Sequence, residues 1–495
     1  MKIYPEEAEV LKLSETCNLI PLYTEIPADL ETPISLFYKL FDNEPYIFLF
    51  ESMEGPEKWA RFSFIGFDPF LIFKSKGNQV EILGEKKNFF FSEDPLLELK
   101  KILFQFKTPE IKELPRFWGG AVGYVGYEMV SFFEKRVPRA PDKLGFHDLF
   151  FVFPKKLLIY DRLRHSYLIL HLLTVDKGNL KKIYHEAKEE LKKLVQDFKK
   201  KKVKIPKIKK RLKLIPEMER EQFLEMVLKA KEYISSGDVI QVVLSQRFFV
   251  EEDLLENPHT SFYLYRGLRK INPSPYMFYL RLEDEILIGS SPEILLRVED
   301  RVVETRPIAG TRRRGLNEEE DLALEEELRR DEKELAEHIM LVDLGRNDLG
   351  RVSRYGTVEV YELLVVERYS HVMHLVSGVR GHLKEGEDMF SAFKACFPAG
   401  TVSGAPKIRA MEIISELEGR ARGPYAGAVG YFGFSQNMDF CITIRTFFQK
   451  KNRLYLQAGA GIVADSIPEK EFEETINKAM ALERALRLFG DGYFL

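Results

Sequence analysis

Two stretches of this sequence place glutamates three residues apart inside helix-like patterns. In "DEKELAEHIMLVDLGRNDLGR" these are Glu334 and Glu337, and in "PEKEFEETINKA" they are Glu471 and Glu474. Positions three apart share one face of a helix, so each pair turns two carboxylates the same way. If the pairs converge, they offer oxygens to a hard cation. Mg2+ suits such a site, because it takes few protein ligands and completes its shell with water and substrate oxygens. Taken singly, each pair also fits a solvated helix face. The apolar runs "IMLVDL" and "INKAMALERAL" beside them favour packed helices.

Other stretches have chemistry-bearing residues in less specific settings. "TRPIAGTRRRG" (305–315) sets four arginines around Ala309, Gly310 and Thr311. Glycine beside threonine offers backbone and hydroxyl groups to an anion, yet no Walker-type lysine follows. "FPAGTVSGAPKIRAMEII" (397–414) holds Thr401 and leads small residues into Pro406. That pattern fits a helix start presenting free N–H groups to an anion, and equally a structural cap. In "LQAGAGIV", Gly459, Ala460 and Gly461 end a strand where the backbone can approach a ligand closely. "YSHVMHLVSG" holds His371 and His374. It lacks the HExxH spacing of a zinc protease, and its spacing alone fits a satisfied buried histidine.

The elements that must position these residues follow from periodicity. Residues 1–198 alternate short apolar runs such as "YIFLFES" and "LFFVFPKKLLIYD" with turns, then close on the helical "LKKIYHEAKEELKKLVQDFKKK". A basic, proline-containing stretch, 199–213, is the best boundary, leaving 214–495 as a second unit. There, helical segments are expected near 317–344, 405–418 and 467–488, with strands such as "VIQVVLSQRFFVE" and "RLYLQAGAGIV" between them. Strands come in adjacent pairs more than in alternation with helices. The reading is an α+β fold with large, mostly antiparallel sheets, not a Rossmann fold or barrel.

Composition narrows the class. The chain has 495 residues, 45% hydrophobic and 31% charged, enough for two ordinary domains or one large one. A formal net charge of −3 gives no reason to expect a nucleic-acid partner. The cluster "KKKVKIPKIKKRLK" is read as a solvated linker. Three cysteines, Cys17, Cys396 and Cys441, stand far apart without a CxxC, as free thiols in a reducing compartment do. With no signal-like start and no membrane-length apolar run, a cytoplasmic location is expected.

Read in order, the blocks "VIQVVLSQRF", "GSSPEILLR", "TRPIAGTRRRG", "DEKELAEHIMLVDLGRNDLGRV", "YSHVMHLVSGV", "PAGTVSGAPKIRAMEII", "GPYAGAVGYFGF" and "AGAGIVADSIPEKEFEETINKA" resemble the chorismate-utilising enzymes. The likeness is strongest to the large subunits that form anthranilate, and it runs from about residue 220 to 490. It implies a four-layer α/β/β/α sandwich with orthogonal sheets, a cleft for chorismate, and Mg2+. By resemblance, Glu334, Glu337, Glu471 and Glu474 match the magnesium-site carboxylates, with Glu337 and Glu474 as direct ligands. Gly310, Thr311, Tyr425, Arg445 and the turn Gly459, Ala460, Gly461 match chorismate contacts, and Lys478 adds a positive charge. Glu293 matches the general acid for the leaving 4-hydroxyl, and His374 and Thr401 match further catalytic positions.

Two positions separate the branches of that family. Isochorismate and salicylate synthases carry a lysine where this chain has Gln241. There it is thought to activate water, whereas neutral ammonia needs no such base. The folate-pathway relative, aminodeoxychorismate synthase, carries a nucleophilic lysine where this chain has Ala309, and alanine cannot attack the ring. The resemblance therefore implies direct amination at the 2-position, then loss of pyruvate to anthranilate, a lyase reaction that begins tryptophan synthesis. No cysteine lies in a glutaminase-like context, so ammonia is expected from a separate glutamine amidotransferase subunit. Feedback by tryptophan is implied by "LFESMEG" (Glu51, Ser52) and "NPSPYMFY" (Asn272, Pro275, Tyr276, Met277), with Glu51 facing the amino group. Residues 1–198 are thus expected to regulate and 214–495 to catalyse. The alternatives are a folate-pathway subunit and a tryptophan sensor without catalysis.

Overall fold

The computed structural model describes residues 1–41, 44–53, 61–176, 178–200, 212–369 and 372–490. Most of the basic stretch, 201–211, and His371 lie outside the described residues. Every recorded strand pairing is antiparallel, and the strands form two sheets joined at one corner. The corner is the long pair Phe62–Lys76 and Leu149–Asp161. The first half of Phe62–Lys76 pairs with Tyr46–Glu51, and its second half with Gln79–Leu83. Likewise Leu149–Asp161 gives its start to Gly120–Val125 and its end to Ser166–Thr174. Between the halves the register slips at Pro69–Leu71, beside Asp68 at φ +53°. Such a bulge lets a strand turn out of one sheet into the next, as orthogonally packed sheets require.

From that corner one sheet continues through Tyr46–Glu51, Tyr276–Leu282, Glu285–Ser291, Thr446–Lys450, Arg453–Ile462 and Gln241–Glu251. The other runs through Gly120–Val125, Ala428–Gly433, Met438–Ile442, Ile294–Glu299, Val302–Thr305 and Val372–His382. Both sheets therefore take strands from either side of 199–213. Strand alternation separates the layers: Phe48, Phe278 and Leu287 face one core, while Ile47, Leu49, Tyr279, Ile286 and Ile288 face the other. That second core is closed by helices Pro33–Phe41, Leu180–Lys200, Pro258–Ile271 and Pro468–Gly490. Helices Pro95–Leu103, Met389–Cys396 and Lys407–Glu418 bury their apolar faces in the first. The result is the α+β, four-layer order of helices and sheets. Among the described residues no helix is long and apolar enough to cross a membrane.

Two helices matter most for the site. Glu332–Gly350 starts at Asp331, whose carboxylate accepts from the N–H groups of Lys333 and Glu334, both at 3.1 Å. It lies on the strand Ile308–Arg313 and on Val372–His382. Pro468–Gly490 lies on Arg453–Ile462, across the cleft from it.

Candidate active site

Between these two helices and the strand ends opens a cleft of about 490 Å3. Its walls collect Gln241, Glu293, Gly310, Thr311, Glu334, Glu337, His374, Thr401, Tyr425, Arg445, Gly459, Gly461, Glu471, Glu474 and Lys478. Residues more than 200 positions apart thus line one cleft. Ala460 does not join them. Alternation along Arg453–Ile462 turns its side chain into the sandwich core, where it is fully buried.

The strand Ile308–Arg313 breaks register with Val372–His382 between Ala309 and Thr311, where Gly310 sits at φ +72°. A side chain there would be strained, and its Cβ would stand 3.0 Å from Leu328 Cδ1 and 3.4 Å from Glu334 Oε2. The bulge re-aims the segment so that Thr311 Oγ1 lies 3.0 Å from His374 Nδ1, with the Gly310 carbonyl 3.2 Å away. Burial lowers the His374 pKa, so the ring is held neutral. With Nδ1–H donated to that carbonyl, Nε2 keeps its lone pair for the cleft.

Opposite, the Thr401 hydroxyl donates to Glu293 Oε1 at 2.7 Å. Burial pushes the Glu293 carboxyl up to about 8, and the charge of Glu337 adds to the rise. At neutral pH Glu293 is an acid with a proton to give. The cationic wall is Arg445, held at φ +52° and partly buried, with Lys478 donating to the Gly459 carbonyl at 2.9 Å and paired with Glu474 at 2.7 Å. Glycines 459 and 461 make room: a Cβ on the first would meet the Tyr425 hydroxyl, and on the second Gln241 Nε2.

Gln241 Nε2 donates to Glu337 Oε1 at 3.3 Å, while its buried Oε1 has no partner among the described residues. Burial raises the Glu334 carboxyl, with Glu337 and Asp331 adding to it. Burial likewise raises Glu471, helped by Glu474. Carboxylates crowded this way fit a cation that would relieve them. Among the described residues no three acidic or imidazole side chains cluster tightly enough to hold a metal by themselves.

The structure also gives the arginines of 305–315 their places. Arg306 bridges to Glu362 and Glu367, both at 2.7 Å. Arg312 reaches Glu327 and Asp331, and Arg314 reaches Asp321 and the Tyr369 carbonyl. Arg313 pairs with Glu320. They brace the bulged strand against the surrounding helices and strands. Lys333 and Gln457, not singled out from sequence, also line the cleft. Both were legible: Lys333 precedes Glu337 by one helical turn, and Gln457 alternates with Gly459 and Gly461.

A separate pocket joins Glu51, Ser52, Pro275, Tyr276 and Met277 to Phe50, Arg116, Arg297 and Asp439. It lies where Tyr46–Glu51 pairs with Tyr276–Leu282. The Tyr276 hydroxyl donates to Asp439 at 2.9 Å, and Asp439 also takes Arg297 at 2.7 Å. Glu51 directs its carboxylate to the helix Pro258–Ile271, accepting from Tyr265 at 2.6 Å and Arg269 at 3.0 Å. Asn272 donates to Ser290 at 2.5 Å, closing the turn that leads into the pocket.

Two corner-joined antiparallel sheets with this acidic and cationic cleft are the framework of an enzyme that binds chorismate. Residues 46–484 match the family model described as chorismate binding enzyme, and the chain belongs to that family. It is 49% identical over 498 residues to "Anthranilate synthase component 1" of Acetivibrio thermocellus, with 99% of each chain covered. The protein of that name from Aquifex aeolicus (strain VF5) is 48% identical, with 97% of each covered. The crystal structure of anthranilate synthase component I from Streptococcus pneumoniae TIGR4 aligns at a TM-score of 0.76 and 39% identity, covering 87% of this chain and 93% of its own. At 20% identity, the menaquinone-specific isochorismate synthase of Escherichia coli shares the fold, with a TM-score of 0.73 over 95% of each chain.

Proposed function

We propose that this chain is the aminating large subunit of an anthranilate synthase, a lyase that turns chorismate and ammonia into anthranilate and pyruvate. The carrying observation is that Gln241 and Ala309 both line a cleft that also holds Glu293, His374 and Arg445. With alanine at 309 no side-chain amine is there to attack the ring, which disfavours the folate-pathway course. With glutamine at 241 no base is there to activate water. Ammonia, already nucleophilic, adds directly at the 2-position.

Each residue has a task that its surroundings support. Arg445 grips the enolpyruvyl carboxylate, and the Tyr425 hydroxyl and the Gly459–Gly461 backbone seat the ring beside it. Glu293 donates its proton to the departing 4-hydroxyl. His374, neutral with Nε2 free, assists removal of the ring proton as pyruvate leaves. Glu337 and Glu474 would hold Mg2+, with Glu334 and Glu471 beside them; when bound, the ion draws electron density from the ring through its carboxylate.

Ammonia comes from a separate glutamine amidotransferase subunit, a reading supported by the relatives' name "component 1". Residues 214–495 supply the catalytic cleft. Residues 1–198 supply Glu51 and Ser52 to the second pocket, which we assign to tryptophan as feedback inhibitor. Three free cysteines fit work in the cytoplasm.

The purified chain, given chorismate, Mg2+ and an ammonium salt at alkaline pH, should develop anthranilate fluorescence without any partner. Silence there, with tryptophan still binding, leaves a sensor and not an enzyme. Enlarging the second pocket's wall tests the regulatory site. Ser52→Phe is expected to raise the tryptophan concentration for half-inhibition by about tenfold or more while kcat holds, a coupling change of about 1.4 kcal/mol. Unchanged inhibition would remove tryptophan from this pocket.

A further inference from the structure

Behind the Glu293–Thr401 pair lies a second cavity of about 40 Å3. It shares Glu293, Leu341 and Thr401 with the cleft and continues along the helix Glu332–Gly350, past Leu344 and Gly345, to Asp348. One ordered water needs only about 10–15 Å3 of such volume, so there is room for a short file of water. The walls supply partners for it. Glu293, Thr305, Thr401 and Asp348 all face the space. At the far end Asp348 Oδ2 is paired with Lys407 at 2.5 Å, and Lys407 also donates to the Cys396 carbonyl at 3.2 Å. Asp348 itself is only 8% exposed. Leu344, Gly345, Ala399 and Gly400 in the wall are partly exposed. The cavity thus runs from the back of Glu293 toward partly exposed wall residues.

The reaction creates a need for such a link. As the ring C4–O bond breaks, its electron pair stays on oxygen, Glu293 gives that oxygen a proton, and one water forms. Glu293 is left as a carboxylate. The ammonium group formed at C2 loses one proton to solvent, so solvent must return one proton to Glu293 for the balance to close.

We propose that the cavity is a water-filled return path, by which the water formed from the 4-hydroxyl leaves and Glu293 regains its proton. Asp348, held by Lys407, is a positioning residue at the outer end of the path. The proposal rests on Glu293 being the general acid.

Two variants narrow the path without touching the cleft. Gly345→Ala places a Cβ 3.2 Å from Thr305 Cγ2 while favouring the helix, so the fold should survive it. Leu344→Phe fills more of the space. With the full chain, Mg2+, chorismate and ammonium, rapid mixing compares a single turnover at excess enzyme with steady-state turnover. Expected is a single-turnover rate within about twofold of wild type, a steady-state rate about fivefold or more slower, and a solvent deuterium isotope effect larger than wild type on the steady-state rate alone. Equal slowing of both rates would overturn the path, since packing or ammonia entry would then be what the cavity serves. No slowing in either variant would overturn it as well. Glu293→Gln serves as the control: a normal single-turnover rate there removes the general acid itself, a failure distinguishable from that of the path.

Discussion

Glu293→Gln is expected to lower kcat by about 10²- to 10⁴-fold, the usual worth of a general acid, while leaving the KM for chorismate within a few-fold of wild type. The side chain keeps its size and its place beside Thr401 but has no acid proton to give. Burial is what qualifies the native residue, holding its carboxyl up at about 8. The sign of the pH dependence follows. The protonated form is present below about 8 and is lost as pH rises through it, so kcat at saturating ammonia should fall on that limb. In Glu293→Gln the limb should be absent. Because the Thr401 hydroxyl bond favours the charged form and lowers the Glu293 pKa, Thr401→Val should move the limb to higher pH. Steady-state fluorescence from pH 6.5 to 10, with ammonia held saturating, measures all three. A Gln variant with wild-type kcat would take the acid role away from this residue.

The regions legible in the sequence are those where a local rule fixes geometry. Glu334 with Glu337, and Glu471 with Glu474, were legible because a helix repeats its face every three to four residues. That the two pairs share one cleft is a tertiary fact, and ordered family resemblance supplied it. The same local logic, applied strictly, would have excluded Ala460. Gly459 and Gly461 alternate onto the cleft, so the residue between them must face the core. The corner of the fold was not legible. It depends on Phe62–Lys76 pairing with Leu149–Asp161 and slipping register at Pro69, a contact across nearly ninety residues that no periodicity encodes. Nor was the orientation of Glu51, whose carboxylate is drawn to Tyr265 and Arg269 on a helix more than 200 positions away. The arginines of 305–315 were conspicuous but had no roles until their acidic partners came into place.

Removal of either carboxylate proposed as a direct metal ligand should be among the most damaging single changes in the chain. Glu337→Ala and Glu474→Ala act on different helices and break different local contacts. The first frees Gln241 Nε2, and the second frees Lys478. A shared loss of function would therefore point to a shared ligand and not to either neighbour. A Mg2+ ion held there would stabilise charge that develops as the ring hydroxyl leaves. That is worth several kcal/mol, or about a 10³-fold loss in turnover, with the apparent affinity for Mg2+ falling alongside it. Wild-type chain stripped with chelator should be equally silent and recover on adding Mg2+, whereas the variants should recover little even at high Mg2+. Thermal unfolding supplies the structural control. Loss of a crowded carboxylate should leave the midpoint unchanged or raised without metal, because burial and like charge already strain this cluster. Wild-type turnover with unchanged Mg2+ dependence in both variants would place the cation elsewhere, and Glu334 and Glu471 would be the next carboxylates to remove.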